Sequence, residues 1–419
     1  MKRHVSARMF SGFAAGGFAR RNWFRTSVKR LVATTVFGLS GYLGLHVTNA
    51  QLTILHNFGD GTVPNDGIYP VAGLIQAPNG NFYGTTSQQA EHPYHQHHYI
   101  GTVFQVTPGG VFSIIHDFLV GSRVHPLTPV LFYKNKLVGT TSNPFYNATE
   151  EPDSVFATSL AGYTEHWHRF YLPTDGALPS NLIIGADGDL YGTTILFGSG
   201  GGGTIFKISP TKPHAFSVLY SFSSSGTGGY SPAGGLFLAQ DGNYYGVTSG
   251  GDAPGFGGTI FQMTPSAQVT FIYKFAVNVT PNSPLIQDQN GNFYGTAYTY
   301  INYVFAGIVF KMTPSFEVTV LHLFGQGNDG WNPEGVILGP NGNLYGVTAY
   351  GGTNKNGTVF ELSTDGASYT VLHNFGDGSV PNDGSGPNGP LCLGSDNNLY
   401  GTTQGGGTAG FGTVFKITP

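Results

Sequence analysis

From Gln51 to Pro419 apolar and polar positions recur in one fixed order. An apolar pair leads into an Asn-Gly or Asp-Gly turn. A Tyr-Gly-Thr segment follows, then a glycine-rich loop, a Gly-Thr-Val-Phe segment and a Val-Leu-His-x-Phe segment. Period-two alternation and short apolar runs are the marks of half-buried and fully buried strands. Each unit therefore reads as four short strands, a to d. In the first complete unit they are predicted at residues 71–77, 81–86, 101–107 and 111–118. Asn79-Gly80 joins a to b as a tight hairpin, since both turn residues tolerate positive φ. The same turn recurs at Asp187-Gly188, Asp241-Gly242, Asn290-Gly291 and Asn341-Gly342, with Asp396-Asn397 as a variant. A proline stands at or just before each strand a: Pro70, Pro129, Pro179, Pro232, Pro284, Pro333 and Pro390. A first strand residue need not donate to the ladder, so proline is tolerated there.

Three markers set the period. The tyrosine of strand b falls at Tyr83, Tyr191, Tyr245, Tyr294, Tyr345 and Tyr400, and the degraded copy Lys136–Thr141 fills the one double gap. The phenylalanine of strand c falls at Phe104, Phe156, Phe206, Phe261, Phe310, Phe360 and Phe415. That of strand d falls at Phe58, Phe118, Phe170, Phe222, Phe275, Phe324 and Phe375. A spacing of roughly 50–55 residues lies in the range of propellers and solenoids. The ends discriminate between these. The repeats open on an unaccompanied d strand, residues 52–58, and close after a c strand, residues 412–418. Together the leftovers make one complete sheet. The expectation is an all-β, seven-bladed β-propeller of four-stranded blades, closed by the N-terminal strand pairing with the last blade. A β-solenoid is the alternative, although it calls for atypical capping units.

Residues 1–50 stand outside the repeat and hold eight Lys or Arg with no Asp or Glu. An apolar stretch from Leu31 to Val47 ends at Thr48-Asn49-Ala50. This is expected to be a secretory signal peptide cut before Gln51. The stretch is short and interrupted for a membrane anchor. Arg20-Arg21 is also compatible with twin-arginine export. Residues 51–419 are expected to be one propeller domain, monomeric, with no membrane span after cleavage. The leader takes eight of the 18 Lys and Arg and none of the 22 Asp and Glu, which leaves a formal net charge of −12. An acidic surface without basic stripes argues against nucleic acid and anionic membranes as partners. Cys392 is the only cysteine, so no intramolecular disulfide can form. Its neighbours Leu391 and Leu393 mark it as a small buried side chain.

The motifs Gly-Asn-[Phe/Leu]-Tyr-Gly-Thr-Thr, Gly-Thr-Val-Phe-Lys-[Ile/Met]-Thr-Pro, Val-Leu-His-x-Phe and Asp-Gly-x-x-Pro recur in fixed order over residues 51–419. In this the chain resembles the Gloeo-Verruco tandem repeat family of exported bacterial proteins. The resemblance implies export and repeat architecture and transfers no catalytic residues. Family members often carry a C-terminal sorting segment. This sequence ends at Lys416-Ile417-Thr418-Pro419, so anchoring by that route is not expected.

Strand order puts the b–c loops and d–a crossovers on one face, and the loops there are the long, variable ones. Function in repeat folds gathers on such a face. Three b–c loops depart from plain glycine, and their aromatic rings could stack on sugars or anchor an interface. The ligand-binding candidates are Tyr94, Tyr99, Tyr146, Tyr298, Tyr300 and Tyr303. With them go the polar residues Arg123, His125, Glu150, Glu151 and Asp153. His92, His95, His97 and His98 could hold a divalent metal such as zinc, copper or nickel, although a solvated polar loop is the favoured reading, since no HExxH, CxxC or EF-hand spacing accompanies them. The strand-d histidines His56, His116, His322 and His373 recur at one position and read as packing groups or hydrogen-bond partners of the next blade. The crossovers at 59–67 and 376–384 could offer Asp60, Asp66, Asp377 and Asp383 to calcium, but turn formation accounts for them. No Gly-x-Ser-x-Gly elbow, phosphate loop or dinucleotide fingerprint is present. The expected function is non-enzymatic binding of an extracellular polysaccharide or exported protein by a secreted, periplasmic or surface protein. A polysaccharide lyase or hydrolase using the same loops is the alternative.

Overall fold

The computed structural model describes residues 50–88, 101–118, 125–143, 152–224, 228–251, 256–301 and 304–419. They form seven antiparallel sheets. Blade 1 is Ile75–Gln76, Phe82–Thr86, Thr102–Val106 and Phe112–Asp117. Blades 2 to 6 repeat this order. Blade 7 draws its inner strands from the end of the chain, while its outermost strand, Gln51–Asn57, pairs with Thr413–Thr418. Leu52 lies opposite Ile417 and Ile54 opposite Phe415. The propeller and its closure by the first strand are as the repeat order predicts, and the solenoid is excluded.

The motif residues explain one another. In every blade the glycine of Tyr-Gly-Thr lies directly across the ladder from the phenylalanine of strand c, as Gly84 does from Phe104 and Gly401 from Phe415. A Cβ on Gly84 would stand 2.5 Å from Phe104 Cζ, so the ring occupies the space a side chain would need. That same ring meets the strand-d phenylalanine of the preceding blade. The centroids lie 5.3 Å apart for Phe58–Phe104 and 5.0 Å for Phe118–Phe156. The series continues through Phe170–Phe206, Phe222–Phe261, Phe275–Phe310, Phe324–Phe360 and Phe375–Phe415, all at 5.1–5.3 Å. The result is an unbroken girdle of edge-on or tilted phenylalanine pairs, each worth about 0.5–1.5 kcal/mol beyond its buried area. The link between blades 7 and 1 uses Phe58, a residue of the N-terminal segment.

Strand-b tyrosines are buried and tie the a–b turns. Tyr400 Oη donates to Asp396 Oδ2 at 2.7 Å and Tyr245 Oη to Asp241 Oδ2 at 2.8 Å. Strand-d histidines stack between blades: His56 on Phe112 at 3.7 Å, His322 on Tyr369 at 3.9 Å. Three of them also bond an aspartate of their own crossover, His56 to Asp66 at 2.8 Å, His322 to Asp329 at 3.2 Å and His373 to Asp383 at 2.7 Å. Asp66 and Asp383 are therefore committed within the fold, and Asp60 and Asp377 accept amide bonds from their own turns.

Strand a departs from expectation. In blade 1 it pairs only at Ile75–Gln76, with one isolated bridge at Ile68–Gln88. In blades 3, 5 and 7 it is split in two. Inner strands crowd at the axis: a Cβ on Gly73 would lie 2.6 Å from the Pro390 carbonyl of blade 7. The prolines also sort differently. The equivalent series is Pro70, Pro126, Pro179, Pro232, Pro281, Pro333 and Pro387. Six of them pack on the glycine that opens strand c of the preceding blade, as Pro387 does on Gly357 and Pro70 on Gly412. Pro129, Pro284 and Pro390 sit three residues further on, beside the inner part of the strand.

Candidate functional site

Among the described residues the b–c/d–a face carries one concentrated feature, spread over blades 5, 6 and 7. Strands b and c of blade 5 run on as a long hairpin, Phe293–Ile301 with Val304–Met312, and set Tyr300 opposite Phe305. Their rings lie 4.8 Å apart. Phe305 stacks on Trp331 at 5.6 Å, and Trp331 stacks on Tyr350 at 4.5 Å. Trp331 and Tyr350 are register partners at the outer end of blade 6. Four rings from two blades thus form a continuous row. Tyr300 and Phe305 are each 49% exposed and Tyr350 46%, so half of each ring is open to a ligand.

The row ends in a cleft of about 310 Å³ between blades 6 and 7. Its walls include Tyr69, Tyr350, Lys355, Asn356, Ser385 and Gln404. The b–c turn of blade 6 is held in shape by the bond from Thr353 N to Asn374 Oδ1 at 3.1 Å and by the Gly351–Asn356 bridge. Lys355 sits in that turn with a φ of 64°.

Beneath the row, Tyr298 Oη donates to Glu334 Oε1 at 2.6 Å. Burial raises the Glu334 carboxyl above its ordinary value, against the lowering effect of the Tyr298 bond. Burial, then the charge and bond of Glu334, raise the Tyr298 phenol in turn. A half-buried carboxyl held by a phenol beside an exposed aromatic surface is the kind of perturbed group that marks functional sites.

The candidates read from the sequence are dispersed. Tyr300 is in the row and Tyr298 beneath it. His125 and Asp153 belong to blade 2, away from the row. His125 is 5% exposed, its Nδ1 is 2.9 Å from the Ser87 carbonyl, and burial lowers its pKa. Asp153 takes the place of the glycine that opens strand c elsewhere. It accepts amide bonds from Asn143 at 2.5 Å and Leu178 at 2.6 Å, which tie blade 2 to blade 3, and burial raises its pKa. Tyr94, Tyr99, Arg123, Tyr146, Glu150, Glu151, Tyr303 and the histidines His92, His95, His97 and His98 lie outside the described residues. Among the described residues no group of three or more His, Cys, Asp or Glu is placed to hold a metal. No helix among them is long and apolar enough to cross a membrane.

The family model of the Gloeobacter/Verrucomicrobia repeat matches residues 94–303 and 280–419. The chain belongs to this repeat family. Among curated proteins none matches it. Solved propellers resemble this member of the repeat family in fold alone. One is an extracellular domain assigned to a hybrid two-component system of B. thetaiotaomicron, with a TM-score of 0.53 and 12% identity over 87% of this chain and 39% of that one. A protein assigned as a 6-phosphogluconolactonase of Bacteroides uniformis gives a TM-score of 0.48 at 12% identity, over 73% of this chain and 84% of that one. PorZ, a surface component of the type-IX secretion system of Porphyromonas gingivalis, gives 0.49 at 12% identity, over 84% and 46%.

The sequence reading missed Phe305, Trp331, Tyr350, Lys355 and Glu334. Trp331 was the available signal, since only two other tryptophans exist in the chain, Trp23 within residues 1–50 and the buried Trp167.

Proposed function

We propose that this chain is an exported, non-enzymatic binding propeller whose ligand is a polysaccharide. Residues 1–50 act as its cleaved leader, and the mature protein works outside the cytoplasm. The ligand lies along the b–c/d–a face of blades 5 to 7. The observation that carries this reading is the row Tyr300–Phe305–Trp331–Tyr350, in which Tyr300, Phe305 and Tyr350 are half exposed. The exposed parts of these rings offer apolar surface to sugar rings, while the amides and hydroxyls of the cleft suit sugar hydroxyls. A glycan array followed by product analysis tests it. The expected result is retention of a polysaccharide without new reducing ends or unsaturated products. Trp331→Ala and Tyr350→Ala should each abolish retention while melting stays within a few degrees of the parent. Turnover would favour a lyase or hydrolase in the same loops, with Glu334 the first residue to replace. Retention that survives both substitutions would move the site off this row.

A further inference from the structure

Resting on that reading, we infer that the ligand is an acidic polysaccharide and that Lys355 receives the carboxylate of a uronic acid residue in the cleft. The mature chain is strongly acidic, with a formal net charge of −12 once the leader is removed. Of its eight lysines, three are ion-paired elsewhere. Lys207 pairs with Asp187 at 3.1 Å and Asp189 at 2.9 Å, and Lys136 and Lys212 both reach Glu165. Those groups lie at the opposite ends of the strands. In the b–c loops and d–a crossovers of all seven blades the sequence places two cations, Arg123 and Lys355. Lys355 stands in the wall of the cleft that the aromatic row enters. No carboxylate among the described residues pairs with it.

The cleft around it holds no Asp or Glu. Its polar groups are Asn356, Ser385 and Gln404 with the phenols of Tyr69 and Tyr350. These neutral groups can bond sugar hydroxyls and do not neutralise a cation. An unpaired ammonium on a turn fixed by the Asn374 bond, next to a stacked ring, fits an anion carried on a sugar. A ring stacked on Tyr350 would bring its carboxylate to Lys355. In a chain whose own field repels polyanions, one cation at this place selects for position rather than for bulk charge.

The test uses the mature protein with polygalacturonate, alginate and hyaluronan, each with carboxylates free or methyl-esterified. Dextran sulfate and a neutral glucan serve as the other arms. Free uronates should bind. Esterification or Lys355→Gln should each weaken binding by about tenfold or more, as for loss of a charge-assisted hydrogen bond. Lys355→Arg should retain most of it. Equal binding of free and esterified polymers, or full binding by Lys355→Gln, overturns the inference while the polysaccharide reading stands. Binding of dextran sulfate in preference to every uronate overturns the carboxylate assignment. Failure of the parent protein to bind any of the polymers overturns both.

Discussion

Removal of the first strand should lower the melting point by a predictable amount. Deleting residues 51–58 takes away Leu52, 5% exposed, and Phe58, fully buried. Burial of each is worth about 1.5–3 kcal/mol, so the pair contributes ~3–6 kcal/mol. The deletion also leaves Thr413–Thr418 as an unpaired edge and breaks the Phe58–Phe104 link of the girdle. Unfolding entropy of about 2.1 cal/mol/K per residue over roughly 370 residues gives ~0.8 kcal/mol/K, so Tm should fall by ~4–8 °C. Differential scanning calorimetry of the mature protein and the truncated form reads this directly. A synthetic peptide of residues 51–58, added in excess, should restore part of the loss by strand addition. A Tm unchanged within about 1 °C would refute the closure argument, because even half the smallest expected loss would shift Tm by ~2 °C.

Other substitutions probe other links. Gly192→Ala would place a Cβ 2.6 Å from Phe206 Cζ; overpacking of about 1–3 kcal/mol is expected, and Phe206→Leu in the same chain should recover part of it in a double-mutant cycle. Gly234→Ala combines a φ of +73° with a Cβ 2.4 Å from the Ser283 carbonyl carbon, so chemical denaturation should show a loss larger than the ~1–2 kcal/mol of the left-handed backbone alone. Glu334→Gln should leave Tyr298 its acceptor and remove a carboxyl whose ionisation the fold resists. The folded pKa lies above the ordinary 4.5, so the parent loses stability as pH rises from that value through the folded one. The melting advantage of the variant should therefore grow from pH 4 to pH 8, and an advantage independent of pH would contradict the burial argument.

Much of the ring could be read from residues alone, because each contact that builds it is repeated. Gly84 and Phe104 recur as a pair in every blade since one ring fills the other residue's missing side chain. The leftover d and c strands could only complete each other. Strand a was less legible: Pro70 and Gly73 mark its start, but its breaking depends on how close the inner strands of neighbouring blades approach the axis. The aromatic row was half legible. Tyr298 and Tyr300 stood out within one loop, whereas Phe305, Trp331 and Tyr350 come together only when blades 5 and 6 are adjacent. Glu334 gave no signal, since its burial under Tyr298 is a product of that adjacency. Asp153 stood out as one of three neighbouring carboxylates with Glu150 and Glu151, whereas its role in place of the opening glycine shows only in its bonds to Asn143 and Leu178.

The seam in blade 7 also governs when this protein can finish folding. Blades 1 to 6 are each made from a continuous stretch of chain and can form as it becomes available. The seventh needs Gln51–Asn57 and Thr413–Thr418 together. Until the last strand arrives, the first remains a loose apolar ribbon, with Phe58 unable to complete its place beside Phe104. Contacts spanning nearly the whole chain are slow to form, because loop closure precedes their reward. The ring locks only when the final strand is in place, so the two ends of the repeat region complete the native state as one event.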